Sequence, residues 1–162
     1  WKTPPAMEID PKKKYTARME TDKGTIVIEL FADKAPKTVN SFVFLSRQGF
    51  YEGVIFHRVI ANFMAQGGDP TGTGMGGSGE KLRAEFNDIS HQRGVCSMAR
   101  SNDPNSGDSQ FFICLDDASF LDRKYTVWGK VTSGMEAVDG LPKGEPPKKP
   151  GKIVSAKVAA DA

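Results

Sequence analysis

Arg58 and Gln66 stand in the segment Phe56-His57-Arg58-Val59-Ile60-Ala61-Asn62-Phe63-Met64-Ala65-Gln66-Gly67-Gly68-Asp69-Pro70, among aromatic and aliphatic neighbours. Arginine rarely enters an apolar setting without a partner or a task. A guanidinium fixed beside an apolar pocket stays cationic and presents a rigid fork of donors. It can address a carbonyl or an amide nitrogen with no hydrolytic nucleophile nearby. Side chains alternate along a strand, so Phe56 and Arg58 share a face, as do Met64 and Gln66. In Gln110-Phe111-Phe112-Ile113, Gln110 and Phe112 share one face and leave Phe111 and Ile113 for the other. A surface of Arg58, Met64, Gln66, Gln110 and Phe112 suits an extended peptide, with pockets for its side chains and amides for its backbone. The same pattern also reads as the polar outer face of a barrel carrying scattered apolar residues.

Other chemistries find less material. Gly72-Thr73-Gly74-Met75-Gly76-Gly77 contains the letters GxGxxG, but a dinucleotide site needs a preceding strand and an immediately following helix. Here the glycines run on to Gly79, which predicts a flexible loop with positive φ angles. His57 and His91 are the only histidines. His57 is expected to face the core as a neutral ring bonded to backbone, and His91, in Asn87-Asp88-Ile89-Ser90-His91-Gln92-Arg93, to be solvated. No G-x-S-x-G elbow occurs, and two histidines without Cys/His spacing offer no zinc template. Cys96 and Cys114 sit in apolar runs and read as buried free thiols, with a disulfide as the alternative. No metal and no cofactor is expected.

The elements that must position these residues are mostly short strands. Residues 1–14 read as a polar, proline-containing arm, and residues 15–162 as one domain. Tyr15–Glu20 and Thr25–Phe31 alternate around Asp22-Lys23-Gly24, a hairpin with Ile26, Ile28 and Leu30 on one face. Pro36 opens a helix that carries Val39, Phe42, Val43 and Leu45 and stops at Gly49. Residues 54–60 and 63–67 read as strands broken at Ala61-Asn62, and 94–100, 110–115 and 126–131 as three more. Residues 133–141 predict a short helix, 143–152 a Pro/Gly/Lys turn, and 153–158 a last strand. Many short strands with two helices suggest an antiparallel barrel or sandwich, and pairing of the last strand with the first would close a barrel.

Composition sets the outer limits. A chain of 162 residues suits one domain with a sizeable core. The 22 basic and 20 acidic residues leave +2, too balanced for a nucleic-acid partner. No apolar run approaches the roughly 20 residues of a membrane helix. Residues 1–14 hold no signal-peptide core, so a cytoplasmic location is expected. A leader cleaved ahead of Trp1 would make it periplasmic or exported instead.

Taken together, Phe56-His57-Arg58-Val59-Ile60, Phe63-Met64-Ala65-Gln66-Gly67-Gly68-Asp69-Pro70, Ser97-Met98-Ala99, Ser109-Gln110-Phe111-Phe112-Ile113 and Val127-Trp128-Gly129 resemble the cyclophilins, peptidyl-prolyl cis–trans isomerases. The resemblance runs from about Tyr15 to Val158. It implies a mainly β fold, a closed eight-stranded antiparallel β-barrel capped by two α-helices, with a peptide groove on its outer surface. Arg58 matches the family's catalytic arginine. Phe63, Met64, Gln66, Ala99, Gln110, Phe112 and Leu121 match positions that hold proline and its neighbours, and Gly74 matches a glycine at the groove edge. The implied partners are proline-containing peptides and folding client proteins, met by a monomer.

Two positions depart from the commonest pattern. Phe120 stands where many members carry tryptophan, and Tyr125 where many carry histidine. Losing the indole N–H removes a donor that the family uses toward cyclosporin, so weaker drug binding is expected. Tyr125 alters one wall of the proline pocket and with it the substrate preference. The stretch Ala99-Arg100-Ser101-Asn102-Asp103-Pro104 is one residue longer than the common eukaryotic pattern, as in bacterial members.

Overall fold

The structure is a computed structural model that describes residues 5–160; residues 1–4 of the expected arm lie outside them. The described part of the arm is fastened rather than loose. Glu8 and Ile9 donate backbone N–H groups to Asn40 Oδ1 at 2.9 and 3.3 Å, and Asn40 Nδ2 returns a bond of 3.1 Å to the Ala6 carbonyl. Asn40 belongs to helix α1 (Pro36–Arg47), which has proline in its first turn and buries Val39, Phe42, Val43 and Leu45.

Strands β1 (Tyr15–Thr21) and β2 (Gly24–Leu30) form the expected hairpin, with Thr21 opposite Gly24. Gly24 takes φ +133°, a conformation that strains any side chain, so the two-residue link depends on it. The other strands are β3 (Arg58–Ile60), β4 (Met64–Gly67), β5 (Val95–Met98), β6 (Phe111–Cys114), β7 (Val127–Ser133) and β8 (Ile153–Ala160). Helix α2 is only Met135–Asp139, shorter than expected.

Among the described residues eight strands form one antiparallel sheet in the order β3-β4-β6-β5-β7-β2-β1-β8. The last strand does pair with the first, Tyr15 opposite Ala160, but that pairing leaves β8 as one end of the sheet and β3 as the other. The expected closed barrel is therefore corrected to an open one. Single bridges span the seam, at Ile55–Lys152 and Val59–Gly144, where a ladder would be needed. The reason lies in residues 143–152. Pro146, Pro147 and Pro150 have no N–H to give a ladder, so the chain cannot run as a strand beside residues 54–60. Only three residues of that expected strand are laddered, as β3.

Alternation divides the apolar residues into two layers. Phe111 and Ile113 of β6 enter the main core, where Phe111 meets Trp128 edge-on at 5.8 Å and Phe42 lies 4.6 Å from Trp128. Phe112 and Cys114 point the other way, into a smaller cluster with Met64, Val95, Ala118 and Val127. Phe63, Ala99, Leu121 and Tyr125 pack on that outer cluster. Both cysteines are buried free thiols; burial pushes the Cys114 thiol up to about 12 and raises Cys96 as well. Among the described residues no helix is long and apolar enough to cross a membrane.

Candidate active site

Sheet register brings Arg58, Gln66, Phe112 and Ser97 into one row across four strands. Arg58 lies opposite Gln66, Gln66 opposite Phe112, and Phe112 opposite Ser97. Beside this row lies a cavity of about 160 Å³, lined by Arg58, Phe63, Met64, Gln66, Ala99, Arg100, Phe112, Leu121 and Tyr125. A cavity of about 150 Å³ admits a benzene ring, so a pyrrolidine ring fits this one. Met64 and Phe112 are buried, whereas the Arg58 side chain is 43 % exposed and reaches the mouth.

Gln66 and Arg58 do not hold each other. Gln66 Nε2 donates to Gln110 Oε1 at 2.9 Å, and Gln110 Nε2 donates to the carbonyls of Gly74 and Gly76, each at 2.9 Å. The Arg58 Nε–H instead meets Glu145 Oε1 at 2.6 Å. Gly74 and Gln110 line an adjoining cavity of about 470 Å³ together with Gln66 and Ala99. Gly74 thus borders this cavity.

The glycine loop that follows β4 has positive φ at Gly68, Gly72, Gly74 and Gly79, as expected. Its order comes from one buried carboxylate. Asp69 accepts the backbone N–H groups of Thr71 (2.8 Å), Gly74 (2.7 Å) and Gly76 (3.1 Å) and the Thr71 hydroxyl (2.8 Å). Burial alone would raise its pKa; the bonds from Gly76, Thr71 and Gly74 outweigh it and bring it down to about 2. A folded pKa below the unfolded value of 3.8 stabilises the fold above that value, and the contribution disappears as pH falls toward 2. Asp69→Asn is expected to cost about 2 kcal/mol at neutral pH and to flatten the acid limb of the stability profile. It should also weaken activity, because Gln110 hangs from the carbonyls of Gly74 and Gly76. Urea unfolding at pH 7 and pH 3 checks this; an unchanged gap between the two proteins at both values contradicts it.

The far wall is a 3-10 turn, Ser119–Leu121, and the chain after it. Phe120 is 64 % exposed and stacks on Phe63 with centroids 5.9 Å apart. Leu121 and Tyr125 face the cavity, and Phe112 meets Tyr125 edge-on at 5.7 Å. Arg100, which the sequence reading did not single out, lies 4.5 Å over the Tyr125 ring and donates to the Lys124 carbonyl.

Both histidine expectations need correction. His91 is not solvated but 0 % exposed. Its ring stacks on Phe112 at 6.0 Å, with Nδ1 3.0 Å from Asp122 Oδ1 and Nε2 3.0 Å from Ser97 Oγ. Burial pushes its pKa down, against the pull of Asp122. This Asp–His–Ser sequence of contacts offers no nucleophile, since Ser97 is wholly buried and donates to the Thr126 carbonyl at 3.0 Å. His57 is buried, but it does not face the core: it lines an outer cavity beside Arg58, and its Nδ1 has no hydrogen-bond partner among the described residues. Burial lowers its pKa too.

Residues 16–158 match the family model described as cyclophilin type peptidyl-prolyl cis-trans isomerase/CLD. A peptidyl-prolyl cis-trans isomerase of Helicobacter pylori is 45 % identical over 148 residues, covering 89 % of this chain and 90 % of that protein. The crystal structure of a Cryptosporidium parvum cyclophilin type peptidyl-prolyl cis-trans isomerase superposes with TM-score 0.84 at 32 % identity, over 92 % of this chain and 99 % of that one. A structure of the same protein in the presence of the dipeptide Ala-Pro gives TM-score 0.83 at 33 % identity, over 90 % and 99 %.

Proposed function

This chain belongs to the cyclophilin-type peptidyl-prolyl cis–trans isomerases, and from that premise we propose that Arg58 drives the isomerisation from the mouth of the apolar cavity beside it. The peptide bond resists twisting because the nitrogen lone pair is delocalised into the carbonyl. A donor aimed at the prolyl nitrogen localises that pair as the bond turns. The contact is stronger in the twisted state than in the planar one, which is what lowers a barrier. No covalent step is required.

The other residues hold the substrate. Phe63, Met64, Phe112, Leu121 and Tyr125 receive the pyrrolidine ring and keep water from it, which strengthens the arginine's field. Gln66 takes a substrate carbonyl. Gly74, Ala99 and Gln110 line the adjoining cavity for flanking residues, and Phe120 covers the exposed rim. The substrates are proline-containing peptides and folding client proteins, met by a monomer without nucleic-acid or membrane partners. The buried free thiols of Cys96 and Cys114 favour a cytoplasmic site of action, which cell fractionation decides.

The observation that carries this reading is the Arg58 guanidinium at the mouth of a ring-sized cavity walled by Met64, Phe112 and Leu121, in register with the Gln66 amide, whereas Arg100, which also lines it, is tied to the Lys124 carbonyl. NMR exchange on an Ala-Pro peptide tests it. Catalysed exchange between cis and trans signals is expected, whereas a pure binding groove shifts the signals without exchange. Cyclosporin should inhibit weakly, because Phe120 has no N–H to donate. Phe120→Trp should tighten inhibition about ten-fold, the scale of one hydrogen bond. An unchanged inhibition constant removes Phe120 from the account.

A further inference from the structure

We propose that Glu145 is a positioning residue for the isomerisation, holding the Arg58 guanidinium in its working orientation; this rests on the reading of Arg58 given above. The bond between Arg58 Nε and Glu145 Oε1, 2.6 Å long, is the guanidinium's only hydrogen bond among the described residues. Gln66, the cross-strand neighbour best placed to share the task, donates its amide to Gln110.

Glu145 is delivered to this place by the seam of the sheet. Gly144 exchanges two backbone bonds with Val59, each 2.9 Å, so the chain is pinned to β3 one residue before Glu145. Val59 itself faces the core beside Arg58. Lys143 ties the same segment to the carbonyls of Asp139 and Leu141 at 2.9 and 3.0 Å. The carboxylate therefore stands on fixed backbone, although its side chain is 57 % exposed.

Arg58 needs such a hold because it borders two spaces. It lines the ring-sized cavity, and it also lines an outer cavity of about 430 Å³ with His57, Thr73, Glu145 and Pro146. A long side chain with room on both sides samples both. A bond at Nε fixes the plane of the guanidinium and leaves both Nη groups uncommitted for the substrate. The carboxylate also cancels part of the arginine's charge, but at an exposed pair water screens that effect while the orientation remains.

Glu145→Ala is expected to lower kcat about five-fold, the scale of one exposed ion pair, with KM nearly unchanged. Glu145→Gln keeps an acceptor oxygen and should restore most of the loss. By 15N NMR, the Arg58 Nε–H signal should be protected from exchange in the wild type and in Glu145→Gln, and lost in Glu145→Ala. In an Arg58→Ala background, Glu145→Ala should change nothing further. A Glu145→Ala enzyme with wild-type or raised kcat overturns the proposal, as does an equal fall in the Arg58→Ala background. An active Arg58→Ala enzyme overturns this proposal and the reading of Arg58 together. An inactive Arg58→Ala with a fully active Glu145→Ala overturns this one alone.

Discussion

Arg58→Ala is expected to fold normally and to lose all but about a hundredth of the isomerase activity. The fold survives because Arg58 contributes nothing to the core: its side chain is 43 % exposed and its one hydrogen bond among the described residues is to the exposed Glu145. Losing such a pair costs under about 1 kcal/mol. The activity falls because a preorganised donor aimed at developing charge is worth roughly 10²–10³ in rate. Uncatalysed X-Pro bonds isomerise in tens to hundreds of seconds. Reaching milliseconds takes about 7 kcal/mol of barrier lowering at ~1.4 kcal/mol per decade. Arg58 would supply about half, and water exclusion and ring confinement by Met64, Phe112 and Leu121 the rest. Arg58→Lys should fall in between, because an ammonium keeps the charge and loses the rigid fork. The deficit should appear in kcat, since the contact matters most in the twisted state. Exchange rates on a prolyl peptide, with near-ultraviolet dichroism as the folding control, measure both halves. A folded Arg58→Ala enzyme turning over near the wild-type rate defeats the mechanism.

The near wall of the pocket was legible in the sequence because it depends only on local rules. Alternation assigned Arg58, Gln66 and Phe112 to one face, and the short turn at Ala61-Asn62 set the register that puts Arg58 opposite Gln66. It failed for Phe56, which enters the main core instead of sharing Arg58's face, because β3 begins only at Arg58 and alternation does not reach back past it. The same rule separated Phe111, in the main core, from Phe112, in the outer cluster. What depended on distant segments was not legible. Glu145 lies 87 residues from Arg58, in a stretch with no periodicity, and reaches it only because the two ends of the sheet meet there. Counting strands and pairing the last with the first suggested closure. Closure needs a continuous ladder at the seam, and prolines at 146, 147 and 150 withhold its donors. His91 sits among polar neighbours and reads as solvated; its burial comes from Asp122, 31 residues on, and from Phe112.

That buried ring underlies the second large effect. His91→Ala is expected to cost about 3 kcal/mol of stability, mostly through the cavity left beneath Phe112. The polar share is smaller, because Asp122 keeps bonds from the Ser90 hydroxyl and the backbone N–H of residue 91, and Ser97 keeps the Thr126 carbonyl. Phe112 and Tyr125, which both rest on the ring, should settle inward and spoil the far wall. The enzymatic signature should therefore be a raised KM with a smaller change in kcat, the reverse of Arg58→Ala. pH separates the two further. Burial holds the folded pKa of His91 below its ordinary 6.5, so above that value the neutral ring contributes its full stability. As pH falls below it, the unfolded chain takes up the proton more readily and the contribution shrinks. His57 shifts in the same direction and stays in both proteins. The stability gap between wild type and His91→Ala should thus narrow from pH 7.5 to pH 5 in urea unfolding. A constant gap would mean that His91 titrates alike folded and unfolded. An unchanged KM would mean that the far wall stands without the ring, and that Phe112 holds its place through the sheet alone.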